Sequence, residues 1–313
     1  MHRDMLPDLL HLYHATGGRL LPRLLQQFDH DPARVRGASP SALRALGLSA
    51  KKVARIKQRE CKRVARDLDW ARTPGNHLVC CDDPAYPALL RQIDDYPVLL
   101  YASGRLELLH ELQLAIVGSR LCTPGGAQNA FDFAGQLAAA GFTITSGMAL
   151  GIDSEAHRGA LAAGGNTVAV IATGIDVVYP ERNRRLAAEI RQHGLILSEF
   201  PLGEHARRAH FPQRNRIISG LSLGTLVVEA AARSGSLISA RLAAEQGREV
   251  FAVPGSIHNP QTRGCHALIR DGAALVETPA DITRELSGLA RYAIAEHSGP
   301  PARDLDGVDA EHQ

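Results

Sequence analysis

From residue 113 onward, short runs of consecutive apolar residues alternate with longer segments whose apolar positions fall three and four apart. The runs are LAIVGS (114–119), FTITSG (142–147), TVAVIAT (167–173), LILSEF (195–200), TLVVEA (225–230), EVFAVPG (249–255) and a brief AALVE (273–277). Between most of them lie segments such as GAQNAFDFAGQLAAAG, NRRLAAEIRQHG and SLISARLAAEQG, several closed by the glycine common at helix ends. A strand apolar on successive residues has no face to give to water. It predicts a parallel sheet covered by helices on both sides. The fold class expected is α/β: a Rossmann-like, doubly wound, mostly parallel sheet.

The first 72 residues follow another rhythm. LPRLLQQF and SPSALRALG have helical spacing, with Ser39 placed to cap and Pro40 at the first helical position. LRALGLSAKKVARI is a helix, a glycine-centred turn and a second helix, similar to a helix-hairpin-helix or SAM-like unit. Residues 73–112 are proline-rich, with strand-like HLVCC and PVLLYASG, and form an extension ahead of the main domain. The organisation expected is a small all-α domain over 1–72, the Rossmann-like domain over 73–287, and a disordered Pro/Gly/Asp-rich tail over 288–313.

Composition adds little until charge is located along the chain. An apolar content of 45% and a charged content of 22% are ordinary for a globular protein. There is no apolar run of spanning length and no signal-peptide pattern at the N-terminus, and the unpaired cysteine spacing fits a reduced, cytoplasmic protein. Five cysteines without C-x-x-C spacing predict neither a zinc site nor a disulfide framework. The net charge of +2 hides an asymmetry: residues 1–75 hold 15 Lys and Arg against 7 Asp and Glu, whereas the rest holds 20 against 26. All four lysines (51, 52, 57 and 62) lie in the first part, so a cationic site in the larger domain must be built from arginine.

Ligands of open parallel sheets bind at the carboxyl ends of the strands. Those ends carry Gly118-Ser119-Arg120, Ser146-Gly147, Thr173-Gly174, Ser198-Glu199, Glu229 followed by Ser234-Gly235-Ser236, and Pro254-Gly255-Ser256. Glycine admits close approach to the backbone, and the free N–H groups of helix starts attract anions, so this edge predicts phosphate recognition. The Arg214-Asn215-Arg216 stretch is a further cationic feature, because arginine beside a core calls for a fixed anion. For Arg216, pairing with a carboxylate of the same edge is the expected answer.

Other chemistries are disfavoured. GSRLCTPGG is not G-x-G-x-x-G, and no acidic residue ends the second strand, which argues against a dinucleotide cofactor. Neither a P-loop nor a G-x-S-x-G elbow occurs. Asp153 and His157, four apart, could pose as an acid–base pair, but a structural hydrogen bond is the simpler reading, and the same holds for Glu229. No catalytic residue is assigned. In the N-terminal part Lys52, Arg55, Arg59, Lys62 and Arg66 recur at spacings of 3, 4, 3 and 4, one stripe if the helix is continuous. The stripe reads either as an auxiliary DNA contact or as a solvated face. Segment 264–276, with Leu268 and Ile269, is a candidate dimer face.

The motifs AIVGSR, TSGMALGIDSEAHRGAL, TVAVIATGIDVVYPERNRRL, LSEFPLG, FPQRNRIISGLS, VVEAAARSGSLISARLAAEQGREVFAVPGS and GCHALIRDGA follow one another with the order and spacing of the DprA/Smf family. The resemblance covers about residues 75–285, and the N-terminal part is similar to the SAM-like domain of many members. It implies an extended Rossmann domain that binds single-stranded DNA in a basic pocket without sequence preference. It also implies a homodimer, a protein that protects incoming DNA and loads the RecA recombinase during natural transformation, and no enzymatic activity. Transferred by motif, Gly118, Ser119 and Arg120 are phosphate contacts, as are Arg214 and Asn215, with Phe211 a stacking platform. Many relatives carry lysine directly after YP, where this chain has Glu181; Arg182 and Arg184 follow as candidates to replace that charge. Many members also continue into a C-terminal winged helix, where residues 288–313 read as a tail. A second reading is a nucleotide-processing enzyme, since GLSLGTLVVEA is similar to the PGGxGTxxE element of lysine-decarboxylase-like phosphoribohydrolases but lacks its leading Pro-Gly-Gly.

Overall fold

The computed structural model describes residues 5–58 and 62–298, with backbone alone over 289–298. Among the described residues the strands form one nine-stranded sheet. They are β1 (Asn76–Cys80), β2 (Leu99–Gly104), β3 (Gln113–Val117), β4 (Thr143–Ser146), β5 (Thr167–Gly174), β6 (Leu195–Phe200), β7 (Gly224–Val227), β8 (Glu249–Ala252) and β9 (Ala274–Leu275). Their order is β1-β2-β6-β5-β4-β3-β7-β8-β9. Every pairing from β6 to β9 is parallel, whereas β1 and β2 add to the β6 edge in antiparallel fashion. The extension expected ahead of the main domain is thus part of its sheet.

Alternate residues of each strand serve opposite faces. Leu114 and Ile116 of β3 join Ile144, Leu226 and Phe251 under the helices Pro124–Ala139 and Ile152–Ala162. Ala115 and Val117 turn to the other face, where Ile217, Ile218 and Leu221 of helix His210–Leu221 cover them. The consecutive apolar runs are explained by this double coverage.

A third cluster joins the N-terminal helices to the sheet. Leu9, Leu12 and Tyr13 of helix Leu6–Thr16 pack with Leu99 and Tyr101 of β2 and Ile171 of β5. The hydroxyl of Tyr13 donates to the Glu199 carbonyl. Buried Asp67 accepts from His14 Nε2 at 2.6 Å and from the Tyr101 hydroxyl at 2.7 Å. The all-α region therefore shares a core with the α/β region. Ser39 caps helix Pro40–Ala45 as expected, accepting from the Ala42 N–H at 3.2 Å.

Two expectations change. The basic stripe does not lie on one helix: Ala50–Ile56 ends before Lys62–Ala71 begins, and Arg59 lies outside the described residues. Arg55 and Lys62 are exposed, whereas Arg66 is spent on Asp176 at 2.7 Å. The disorder expected over 288–313 does not hold for its first part, because helix Pro279–Ser298 runs through that boundary. The stretch LSGLARYAIAEH is rich in helix formers, and the Pro/Gly/Asp composition that suggested disorder begins only at Gly299. Residues 299–313 lie outside the described residues.

Candidate nucleic-acid interface

β3 has β4 on one side and β7 on the other, so the chain leaving β3 and the chain leaving β7 diverge. Such a switch point opens a crevice at the strand ends. Here it is a cleft of about 510 Å³ lined by Gly118–Leu121 after β3, Ala231 and Arg233–Ser236 after β7, and Phe211, Arg214 and Asn215 of helix His210–Leu221. A small lobe beyond Phe211 is walled by Gly147, Tyr179 and Pro180.

At the mouth the guanidinium of Arg120 sits over the ring of Phe211, 4.9 Å from its centre. Tyr179 leans against the same ring, with centres 5.9 Å apart. Leu121, 82% exposed, and Ile238, 42% exposed, extend this apolar rim. In the same cleft Ser236 opens helix Ser236–Glu245, its N–H and hydroxyl both bonded to Ser234 Oγ. An open cation, stacking faces and a helix start thus share one cleft.

Arg214 forms the deep wall. It is 4% exposed, and Nη1 donates to the carbonyls of Gly147 and Val170 while Nε donates to Asn215 Oδ1 at 3.1 Å. Burial pulls its pKa down to about 10, against the opposing pull of Asp153. Nη2 has no partner among the described residues, and the side chain lines both cleft and lobe. Arg214 therefore presents one terminal NH2 group, Nη2, rather than an open fork. A Cβ on Gly147 would overlap the guanidinium, so glycine there is a steric requirement. The next residue, Met148, holds φ 55 and is fixed by Asn183 Nδ2 donating to its carbonyl at 2.8 Å. A non-glycine residue in the left-handed region beside a cleft marks a loop held in place by its surroundings.

Arg216 points away from the cleft. Its guanidinium donates to buried Glu199 at 2.6 Å and to Asp95 at 3.0 Å, the internal pairing expected of it. Burial raises the Glu199 pKa, and Arg216 opposes that rise.

The candidate acid–base groups are engaged elsewhere. Glu229 accepts from the Thr123 N–H at 2.8 Å and hydroxyl at 2.7 Å, tying down the start of helix Pro124–Ala139. Asp153, its pKa raised by burial, accepts from the Ala149 N–H at 3.4 Å. His157 Nδ1 lies 2.7 Å from Thr167 Oγ1, whose hydroxyl proton goes to the Ile144 carbonyl. Nδ1 is therefore the donor, and buried Nε2 is left bare. Burial lowers the His157 pKa to about 3, so the ring is neutral.

Of the residues expected at the site, Gly118, Ser119, Arg120, Phe211, Arg214, Asn215, Ser234, Gly235 and Ser236 meet in the cleft, and Gly147 lies in the adjoining lobe. Ser146 does not reach it: fully buried, it donates to the Ile116 carbonyl, because its position on β4 turns it into the sheet. Arg182 is exposed on the turn after Pro180, outside the lining of cleft and lobe, and Glu181 pairs with Arg184 at 2.7 Å. Leu268 and Ile269 are half-buried against the core; the exposed apolar residue of that edge is Leu275 on β9. Arg233 and Tyr179 were missed. The first could have been found as the arginine preceding the Ser-Gly-Ser turn.

The chain resembles known proteins over most of its length. A family model described as DNA recombination-mediator protein A matches residues 77–287. The chain belongs to the DprA/Smf family. It is 46% identical over 245 residues to Protein Smf of Escherichia coli, covering 78% of this chain and 66% of that one, about two thirds of the relative's length. It is 48% identical over 203 residues to DNA processing protein DprA of Streptococcus pneumoniae, covering 65% and 72%. Among solved structures, DprA of Streptococcus pneumoniae superposes with a TM-score of 0.78 at 36% identity, over 90% of this chain and 97% of that one. DprA of Helicobacter pylori, described for its single-stranded DNA binding mode, superposes with a TM-score of 0.62 at 31% identity, over 68% and 96%. Both members support the extended Rossmann-like fold.

Proposed function

We propose that this protein binds single-stranded DNA without sequence preference, the strand lying in the switch-point cleft. The observation that carries the reading is Arg120 over the ring of Phe211 in the cleft that the Ser234–Ser236 turn also lines. The exposed Arg120 guanidinium suits a phosphate of any sequence, and an aromatic face suits any base. The Helicobacter pylori member described for its single-stranded DNA binding supports the assignment. Glu229, Asp153 and His157, each engaged in a structural bond, support binding over catalysis. The same proposal gives the protein its family role: a cytoplasmic homodimer that protects incoming DNA and loads RecA onto it during natural transformation.

The test is binding of labelled oligo-dT across a salt series. Phe211→Ala is expected to weaken binding by about 1–3 kcal/mol, the worth of one base–aromatic stack. Arg120→Ala is expected to lower the slope of log affinity against log salt by about 0.7, one phosphate contact. Unchanged affinity in the double variant Arg120→Ala/Phe211→Ala rejects the cleft. Loading is read separately, as faster RecA filament growth on oligo-dT in the presence of the wild-type protein.

A further inference from the structure

A second groove, of about 390 Å³, follows the seam between the N-terminal helices and the sheet. Three cations from three separate elements converge on it: Arg19 from the turn Gly18–Leu20, Lys52 from helix Ala50–Ile56, and Arg63 from helix Lys62–Ala71. None of the three side chains has an ion pair or hydrogen bond among the described residues. The groove also holds two carboxylates, and both are already matched. Glu199 is held by Arg216 at 2.6 Å and Glu204 by Arg207 at 3.0 Å. A stacked pair of rings, Phe200 and His210, with centres 4.2 Å apart, also lines the groove.

This groove adjoins the switch-point cleft. His210 lines the groove, and the next residue of the same helix, Phe211, lines the cleft. The first turn of helix His210–Leu221 is thus a ridge shared by two concavities. Each is lined by an unpaired cation and by aromatic rings.

We infer that a single strand of DNA seated in the cleft continues over this ridge into the seam groove, where Arg19, Lys52 and Arg63 hold its phosphates. The inference rests on the cleft binding single-stranded DNA. An extended polyanion fits three unmatched cations carried on three elements, and continuity with the cleft selects a nucleic-acid strand over an acidic peptide.

The experiment compares labelled oligo-dT of about 6 and about 25 nucleotides, the shorter chosen to fill one site and the longer to span both. The wild-type protein is expected to bind the longer strand more tightly. The triple variant Arg19→Ala/Lys52→Ala/Arg63→Ala is expected to lose most of that length advantage. Its salt slope on the long strand is expected to fall by about 2, three contacts at about 0.7 each. Because the three side chains make no internal bonds, an unchanged unfolding midpoint in the variant is expected, and the charge reversal Arg63→Glu gives an independent second reading. Full length advantage in the triple variant overturns the inference, as does an equal loss on both strands, the mark of a diffuse charge effect or of a groove made for another partner. A wild-type protein that binds neither strand rejects the cleft itself, a distinct failure.

Discussion

Two arginines two positions apart on helix His210–Leu221 have opposite duties, and the difference lies in what faces each guanidinium. Arg214 meets carbonyls and keeps its Nη2 group for the cleft, whereas Arg216 is neutralised by Glu199 and Asp95. Removing one partner of a buried pair leaves the other charge stranded, so Arg216→Ala should cost about 3–5 kcal/mol in urea unfolding, with Arg120→Ala near neutral. His157 supplies a pH-dependent counterpart. Its folded pKa of about 3 lies below the ordinary 6.5, so the unfolded chain binds the extra proton between those values. Its contribution is therefore complete above about pH 6.5 and is lost as pH falls toward 3. His157→Gln should flatten the fall of stability with acid over that window, and an unaltered slope in the variant would show that the ring is not held neutral.

At the scale of elements, the cleft depends on how closely two helices approach behind it. Helix Ile152–Ala162 crosses helix Pro124–Ala139 at Gly159, where a Cβ would overlap the Phe131 carbonyl. Both helices begin at the binding edge, one after the Gly147–Gly151 loop and the other after the Gly118–Thr123 loop. Gly159→Ala should therefore destabilise the protein by about 1–3 kcal/mol through overpacking and also weaken oligo-dT binding, although the residue lies outside the cleft. Elements of this kind were legible in the sequence because double burial writes consecutive apolar residues into strands. The break between Ala50–Ile56 and Lys62–Ala71 was not. A stripe at spacings of 3 and 4 looks the same whether one helix or two carry it.

At the scale of the whole molecule, the apolar cluster joining Leu9, Leu12 and Tyr13 to Leu99, Tyr101 and Ile171 makes the two regions one folding unit. Thermal unfolding should show a single transition by both near- and far-ultraviolet circular dichroism. Deleting residues 1–72 should lower the midpoint and expose apolar surface to a dye such as ANS; a fragment as stable as the full chain would refute the shared core. The sequence by itself determined the α/β class, the parallel core strands, and the Gly/Ser/Arg edge, including Gly118–Arg120 and Ser234–Ser236, whereas Phe211 came through the family resemblance. Those features rest on local periodicity and on residue types that act through their own backbone. Only the tertiary structure decided that Ser146 turns inward, that Arg214 is buried while Arg216 is paired, that Arg233 and Tyr179 join the cleft, and that the N-terminal helices close a second groove beside it. Each of those outcomes depends on which distant residue a side chain meets, and contacts across scores of positions leave no periodic trace in the chain.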